Sequence, residues 1–283
     1  MPPPALPPIV AVIAPGAMGS AVAACMAARG VEVRTSLAGR SDASAARARR
    51  AGMIAVEDAA IVSADIVLSI VPPGEAVGLA ERLAPALRAA RTRPVYVDCN
   101  AISPATVARV AAVLAPTGCE FVDGGIIGPP PEPGSATTRL YLSGPGAARV
   151  AALSEWGLHT KMLDGPVGFA SAMKLSYAGI TKGFTALGAM MLLAASRAGT
   201  DAPLRAELMQ SQPQLWAWLN RQVPRMPDKA YRWVAEMEEI AAFAGADPEA
   251  AALFAAAARL YSRIAADHAG TGEETAALLG LLG

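Results

Sequence analysis

Through roughly the first 165 residues, the spacing of apolar positions switches back and forth between the periods of a strand and a helix. Ile9 to Ile13 is an unbroken apolar run, Ala17 to Arg29 is rich in Ala and Met, and Val31 to Leu37 alternates. Gly30 stands where the helix needs a left-handed stop. Strand, helix and strand in about thirty residues predict one βαβ unit. The alternation continues: a helix over Ala43 to Arg50, a strand over Met53 to Val56, a buried strand over Ile66 to Val71 ended by Pro72-Pro73-Gly74, and a helix over Glu75 to Ala89. Pro94 to Cys99 then reads as a strand and Ser103-Pro104 as a capped helix start, followed by strands at Glu120 to Asp123 and Arg139 to Ser143. The expected fold class is α/β, a Rossmann-type, mostly parallel sheet covered on both faces.

After Gly165 the pattern changes. Val167 to Arg197 reads as one long helix lightly interrupted by glycines, and Pro203, Pro213, Pro224, Pro227 and Pro248 punctuate further helical segments. The expected domains are residues 1–165, α/β, and residues 166–283, all helical.

Composition narrows the partners. With 283 residues, 53% of them hydrophobic, the chain has core enough for two domains. Lys plus Arg and Asp plus Glu balance at 24 each, so no basic face is expected for nucleic acid or anionic lipid, and a small molecule is the expected partner. Cys25, Cys99 and Cys119 lack metal-ligand spacing and fit buried thiols in a reducing compartment. The first 28 residues carry no charge, but with no positive n-region and with Pro2, Pro3, Pro4, Pro7 and Pro8 stiffening the lead-in they are not expected to be a signal peptide. The uncharged run Gly183 to Ser196 is fourteen residues, short of the ~20 that span a bilayer, so a cytoplasmic protein without a membrane partner is expected. His159 and His268 join no ligand cluster, no metal is expected, and no Gly-x-Ser-x-Gly elbow points to a hydrolase.

Chemistry enters at Ala14-Pro15-Gly16-Ala17-Met18-Gly19, a glycine turn running from the first strand into a helix. Such a turn brings backbone N–H groups close to a pyrophosphate, and the helix presents its positive end to the same anion. Ala14 replaces the first of three expected glycines. Pro15, Gly16, Ala17, Met18 and Gly19 are therefore expected at a dinucleotide, together with Val71 and Pro72 at the end of a neighbouring strand. The second strand ends in Gly39-Arg40-Ser41. A guanidinium and a hydroxyl there suit a 2′-phosphate better than a bare ribose, which favours NADP over NAD.

These blocks resemble the β-hydroxyacid dehydrogenase superfamily, the group that holds 3-hydroxyisobutyrate dehydrogenase and 6-phosphogluconate dehydrogenase. Phe121-Val122-Asp123-Gly124-Gly125-Ile126-Ile127-Gly128 resembles the family's substrate segment, which implies substrate contacts at Asp123, Gly124 and Gly125. Asp98-Cys99-Asn100-Ala101-Ile102-Ser103-Pro104 falls on another family block, placing Asn100 near nicotinamide and substrate. Gly168-Phe169-Ala170-Ser171-Ala172-Met173-Lys174 falls on the block with the catalytic lysine. The segment around Arg232 to Ile240 resembles a poorly characterised branch with a 6-phosphogluconate-dehydrogenase-like helical domain, which would bind substrate and pair two subunits as a homodimer.

Lys174 also stands out without the resemblance. It is a charge in an apolar helix, where desolvation would lower its pKa and suit it to pass a proton to a carbonyl oxygen. Tyr177 and Thr181, three and seven residues on, share its helix face and are expected at substrate, with Tyr177 as a second catalytic group in place of the family's asparagine. Lys182 is either a further cation for substrate or a solvent-facing charge, Trp216, Trp218 and Trp233 are expected in helix packing or a subunit interface, and Glu236, Glu238 and Glu239 on a solvated face. The expected function is an NADP-dependent oxidoreductase that interconverts a small hydroxy acid or alcohol and its carbonyl form. The alternatives are an imine reductase, which Tyr177 would suit as proton donor, and a catalytically silent nucleotide-sensing protein.

Overall fold

The computed structural model describes residues 6–282; the expectation of stiffening at Pro2, Pro3 and Pro4 lies outside the described residues. The chain forms two compact units, Met1–Lys174 and Leu175–Gly283.

Among the described residues of the first unit, eight strands form one sheet: β1 (Ile9–Ile13), β2 (Glu32–Thr35), β3 (Ile54–Ala55), β4 (Ile66–Ser69), β5 (Val95–Asp98), β6 (Glu120–Ile127), β7 (Arg139–Ser143) and β8 (Thr160–Met162). Their order is β3-β2-β1-β4-β5-β6-β7-β8, and every neighbouring pair is parallel except β6 with β7. The helices between them are α1 (Ala17–Ala27), α2 (Asp42–Arg50), α3 (Asp58–Ile61), α4 (Ala76–Ala89), α5 (Pro104–Leu114) and α6 (Ala147–Ala151). The strand period explains the layering. Val10 and Val12 of β1 pack with Val22 and Met26 of α1 on one face, while Ala11 and Ile13 pack with Leu79, Leu83 and Leu87 of α4 and Val107 of α5 on the other. Each fully buried leucine there stabilises the unit by roughly 1.5–3 kcal/mol.

The α/β expectation matches this sheet, with differences in detail. β6 continues four residues past Asp123, because Gly124 and Gly125, poor strand formers alone, are held opposite Leu142 and Tyr141 of β7. The short elements α3 and β8 carry too few residues to show a period, and α4 runs straight through Pro85.

From Phe169 the chain is helical: α7 (Phe169–Ala198), α8 (Asp201–Ser211), α9 (Pro213–Gln222), α10 (Pro227–Phe243), α11 (Pro248–Ala269) and α12 (Glu273–Leu282). The second unit buries Leu175, Leu192, Leu193, Leu219, Met226, Met237, Ile240, Leu260 and Ile264 around Tyr261 and Trp216. Lys182 is not solvent-facing: it pairs closely with Glu236, which is therefore not a freely solvated charge, and lies 5.1 Å from the ring centre of Trp233. By length and composition α7 could cross a bilayer, with a mean hydropathy of 1.4 over its most apolar window, 44% of which is buried. The fourteen-residue uncharged run understated it, because Lys174 and Lys182 interrupt charge-free sequence without breaking the helix.

One face of α7 is left bare. Tyr177, Ile180, Phe184, Leu187 and Met191, spaced three and four apart, are each more than half exposed.

Candidate functional site

The turn from β1 to α1 is built for an anion. Gly16 enters α1 from an extended conformation and no side chain caps the helix, so its first-turn N–H groups meet no side-chain acceptor. Nothing lies within 4 Å of where a Cβ on Gly16 would stand, whereas a Cβ on Gly19 would strike the Ala14 carbonyl oxygen. Open space at one glycine and close packing at the other are what a pyrophosphate cradle requires. Ala17 is exposed, and Met18 is partly buried and packs on the core. Pro15 gives its carbonyl oxygen to Nε of Arg47, 3.0 Å away, while Nη2 of Arg47 donates to Ser44 Oγ at 2.8 Å. Arg47 was not singled out in the sequence, where it is one of three arginines ending α2.

The loop after β2 differs from expectation in its contacts. Gly39 is left-handed at φ 69°, and Arg40 beyond it pairs with Glu75, Nη2 to Oε2 at 3.0 Å. Ser41 is the cap of α2, its Oγ accepting the Ser44 N–H at 3.4 Å. Its expected place at a 2′-phosphate is thus shared with a structural task that any helix start needs.

A second group of residues meets at the ends of β5 and β6. Lys174, in the second turn of α7, donates from Nζ to the carbonyl oxygens of Asn100 at 3.1 Å and Cys99 at 3.3 Å. Gly125 makes room for this, and Gly124 for the neighbouring strand β5. A Cβ on Gly124 would sit 3.0 Å from Cys99 Sγ, and one on Gly125 would sit 2.9 Å from the Ala170 carbonyl oxygen and 3.2 Å from the Lys174 Cβ. Gly125 is therefore needed for α7 to lie this close to the strand, and Gly124 for the end of β5 to pack against it.

Asn100 and Asp123 were expected to touch ligand, and the structure gives both a different use. The Asn100 amide is buried and fully spent: Oδ1 accepts the Val71 N–H at 2.7 Å, and Nδ2 donates to Ser69 Oγ at 2.9 Å and to Asp98 Oδ2 at 3.0 Å. It ties the end of β4, with Val71 and the following Pro72, to the end of β5, and only its backbone oxygen faces Lys174. Asp123 is fully buried and its carboxylate accepts from Ser143 Oγ, the N–H groups of Gly168 and Ser171, each at 3.0 Å, and Ser171 Oγ at 2.5 Å. A carboxylate with its acceptor sites so filled anchors the start of α7 instead of meeting substrate. Asp98 is the buried acid that sequence reasoning passed over. Burial lifts its carboxyl to about 6, against the pull of the Asn100 N–H donors and Lys174, with Asp123 adding to the rise. A charged residue ending an otherwise apolar strand was the signal available.

Further along α7, Tyr177 is 53% exposed. Thr181 turns its hydroxyl back on its own helix, donating to the Tyr177 carbonyl oxygen at 2.9 Å, which leaves the expected substrate contact without that donor.

With this geometry in view, comparison with known proteins is specific. The family described as the NAD binding domain of 6-phosphogluconate dehydrogenase matches residues 9–152, and a domain of unknown function, DUF1932, matches residues 195–264. An uncharacterised 28.5 kDa protein of Methanothermus fervidus is 28% identical over 159 residues, 56% of this chain; the match spans 59% of that relative's length. Among solved structures, the conserved protein MTH1747, described as structurally similar to 3-hydroxyacid dehydrogenases, is 28% identical with a TM-score of 0.69, covering 95% of this chain and 98% of the other. The Mycobacterium tuberculosis 3-hydroxyisobutyrate dehydrogenase with L-serine is 21% identical with a TM-score of 0.69, covering 93% and 96%. An Aspergillus terreus reductive aminase with NADPH and ethyl-5-oxohexanoate is 18% identical with a TM-score of 0.56, covering 91% and 94%. The last two speak to the fold alone.

Proposed function

This chain belongs to the family of the NAD binding domain of 6-phosphogluconate dehydrogenase, and from that premise we propose that it interconverts a small hydroxy acid or alcohol and its carbonyl form, using NADP. It is a hydroxyacid dehydrogenase-like NAD(P)-dependent oxidoreductase; the substrate class, the NADP preference and the roles below are our reading. The observation that carries it is Lys174, an ammonium placed by α7 against the carbonyl oxygens of Cys99 and Asn100, with Gly125 packed tightly against the helix that holds it.

The uncapped start of α1, the open space at Gly16 and the tight packing at Gly19 fit a dinucleotide's pyrophosphate, with Pro15, Ala17 and Met18 completing the turn. Val71 and Pro72 border it, and Arg40 is the residue for a 2′-phosphate. A bound nicotinamide supplies the hydride. Lys174 then gives a proton to the carbonyl oxygen in reduction and takes it back in oxidation, moving between its two backbone acceptors and the substrate oxygen. Gly125 lets α7 carry Lys174 to that point, and Asp123 acts by positioning, through Ser171 and the root of α7. The stripe from Tyr177 to Met191 favours a homodimer, since an apolar face of that length on a helix calls for a partner surface. No basic field marks a nucleic-acid or anionic-lipid partner, and a cytoplasmic location fits the free thiols of Cys25, Cys99 and Cys119.

An imine reductase is the second reading, supported by the half-exposed phenol of Tyr177. A depletion screen with NADPH over short aldehydes, keto acids and cyclic imines separates the two. Turnover of carbonyls that falls by about 100-fold or more in Lys174→Ala, with cofactor affinity kept, is the expected result. Turnover confined to imines, or carbonyl turnover indifferent to Lys174→Ala, overturns it.

A further inference from the structure

The Arg40–Glu75 ion pair crosses a particular point of the sheet. β2 and β4 flank β1 and run parallel to it, so the loops that follow them leave the same edge of the sheet on either side of the β1–α1 turn. Arg40 belongs to the first loop and Glu75 to the second. A bond between them therefore bridges the carboxyl end of β1, where the adenosine half of a dinucleotide lies in sheets of this order.

We propose that Glu75 narrows the cofactor preference of this protein, acting as a latch on Arg40 that a 2′-phosphate must open and that a bare ribose leaves closed. The inference rests on the placement of a dinucleotide at the β1–α1 turn given above. The pair is open to water, its side chains 27% and 49% exposed, so it is weak enough for a ligand to part. A 2′-phosphate takes Arg40 with two parallel hydrogen bonds. Doing so strips Glu75 of its cation and leaves a carboxylate within reach of a phosphate of like charge, which opposes binding. A ribose 2′-hydroxyl meets no such penalty: it donates to the Glu75 carboxylate while the guanidinium stays paired. Glu75 thus narrows, without reversing, the preference for NADP over NAD that Arg40 gives. Arg47 does not relieve the repulsion by moving, because Pro15 and Ser44 fix its guanidinium.

Dissociation constants for NADPH and NADH, measured by titration calorimetry on the full chain, test this in wild type, Glu75→Gln and Arg40→Ala. Glutamine keeps the size and a hydrogen-bonding end but removes the charge. Glu75→Gln is expected to tighten NADPH by at least about tenfold while leaving NADH within about threefold of wild type. Arg40→Ala is expected to weaken NADPH selectively. A Glu75→Gln protein whose NADPH to NADH ratio equals that of wild type overturns the latch, even where Arg40→Ala shifts the ratio. A ratio unmoved by Arg40→Ala overturns both the latch and the placement of the 2′-phosphate on Arg40, and absence of binding by either cofactor removes the reading beneath both. Both side chains are partly exposed, and thermal melts confirm that the variants fold.

Discussion

Asp98 ends β5 with no exposure, and its carboxyl titrates near 6 where an ordinary one titrates at 3.8. Because the folded protein holds this proton more tightly than the unfolded chain, the stabilising contribution is complete below about pH 4 and is lost as the pH rises through about 6, a change of ~3 kcal/mol. Urea melts between pH 4 and pH 7 check this. The stability of wild type relative to Asp98→Asn should be greatest at the acid end and decline by about that amount, with asparagine keeping an acceptor for the Asn100 N–H. Lys174 was legible in the sequence as a charge in an apolar helix, and Gly124 and Gly125 only through the family resemblance. Asn100 was legible only as a residue. Its identity names two donors and an acceptor, but only the fold shows that Ser69, Asp98 and Val71 take all of them before a ligand can.

The element that organises the site is α7, and Asp123 fixes where it begins. Four donors converge on this carboxylate, three of them from the first residues of the helix and its lead-in. Asp123→Ala leaves them buried without an acceptor and should cost roughly 3 kcal/mol in thermal or urea unfolding. Because Lys174 stands one turn beyond Ser171, kcat should fall further than KM rises, and a conservative Asp123→Asn should recover part of both. The long elements were readable because their apolar spacing repeats over many residues. α3 and β8 repeat nothing, and β6 was cut short at Asp123 because two glycines argue for a turn until β7 is seen to pair with them.

For the whole molecule, the proposed homodimer turns on the bare face of α7. Replacing Ile180 and Phe184 together by aspartate removes the centre of the stripe from Tyr177 to Met191 without touching the buried residues of the helix. Sedimentation should show two copies in wild type and one in the variant, while the α/β unit keeps its fold and its cofactor affinity. The balance of positive and negative charges argues against a basic face, but a sum over 283 residues says nothing of where apolar ones gather. A helix clothed by a second chain is clothed only while that chain is near. The melting temperature should therefore climb with protein concentration, and an assay at nanomolar enzyme, where the pair comes apart, would report the slow decay of a half-dressed subunit and mistake it for a poor catalyst.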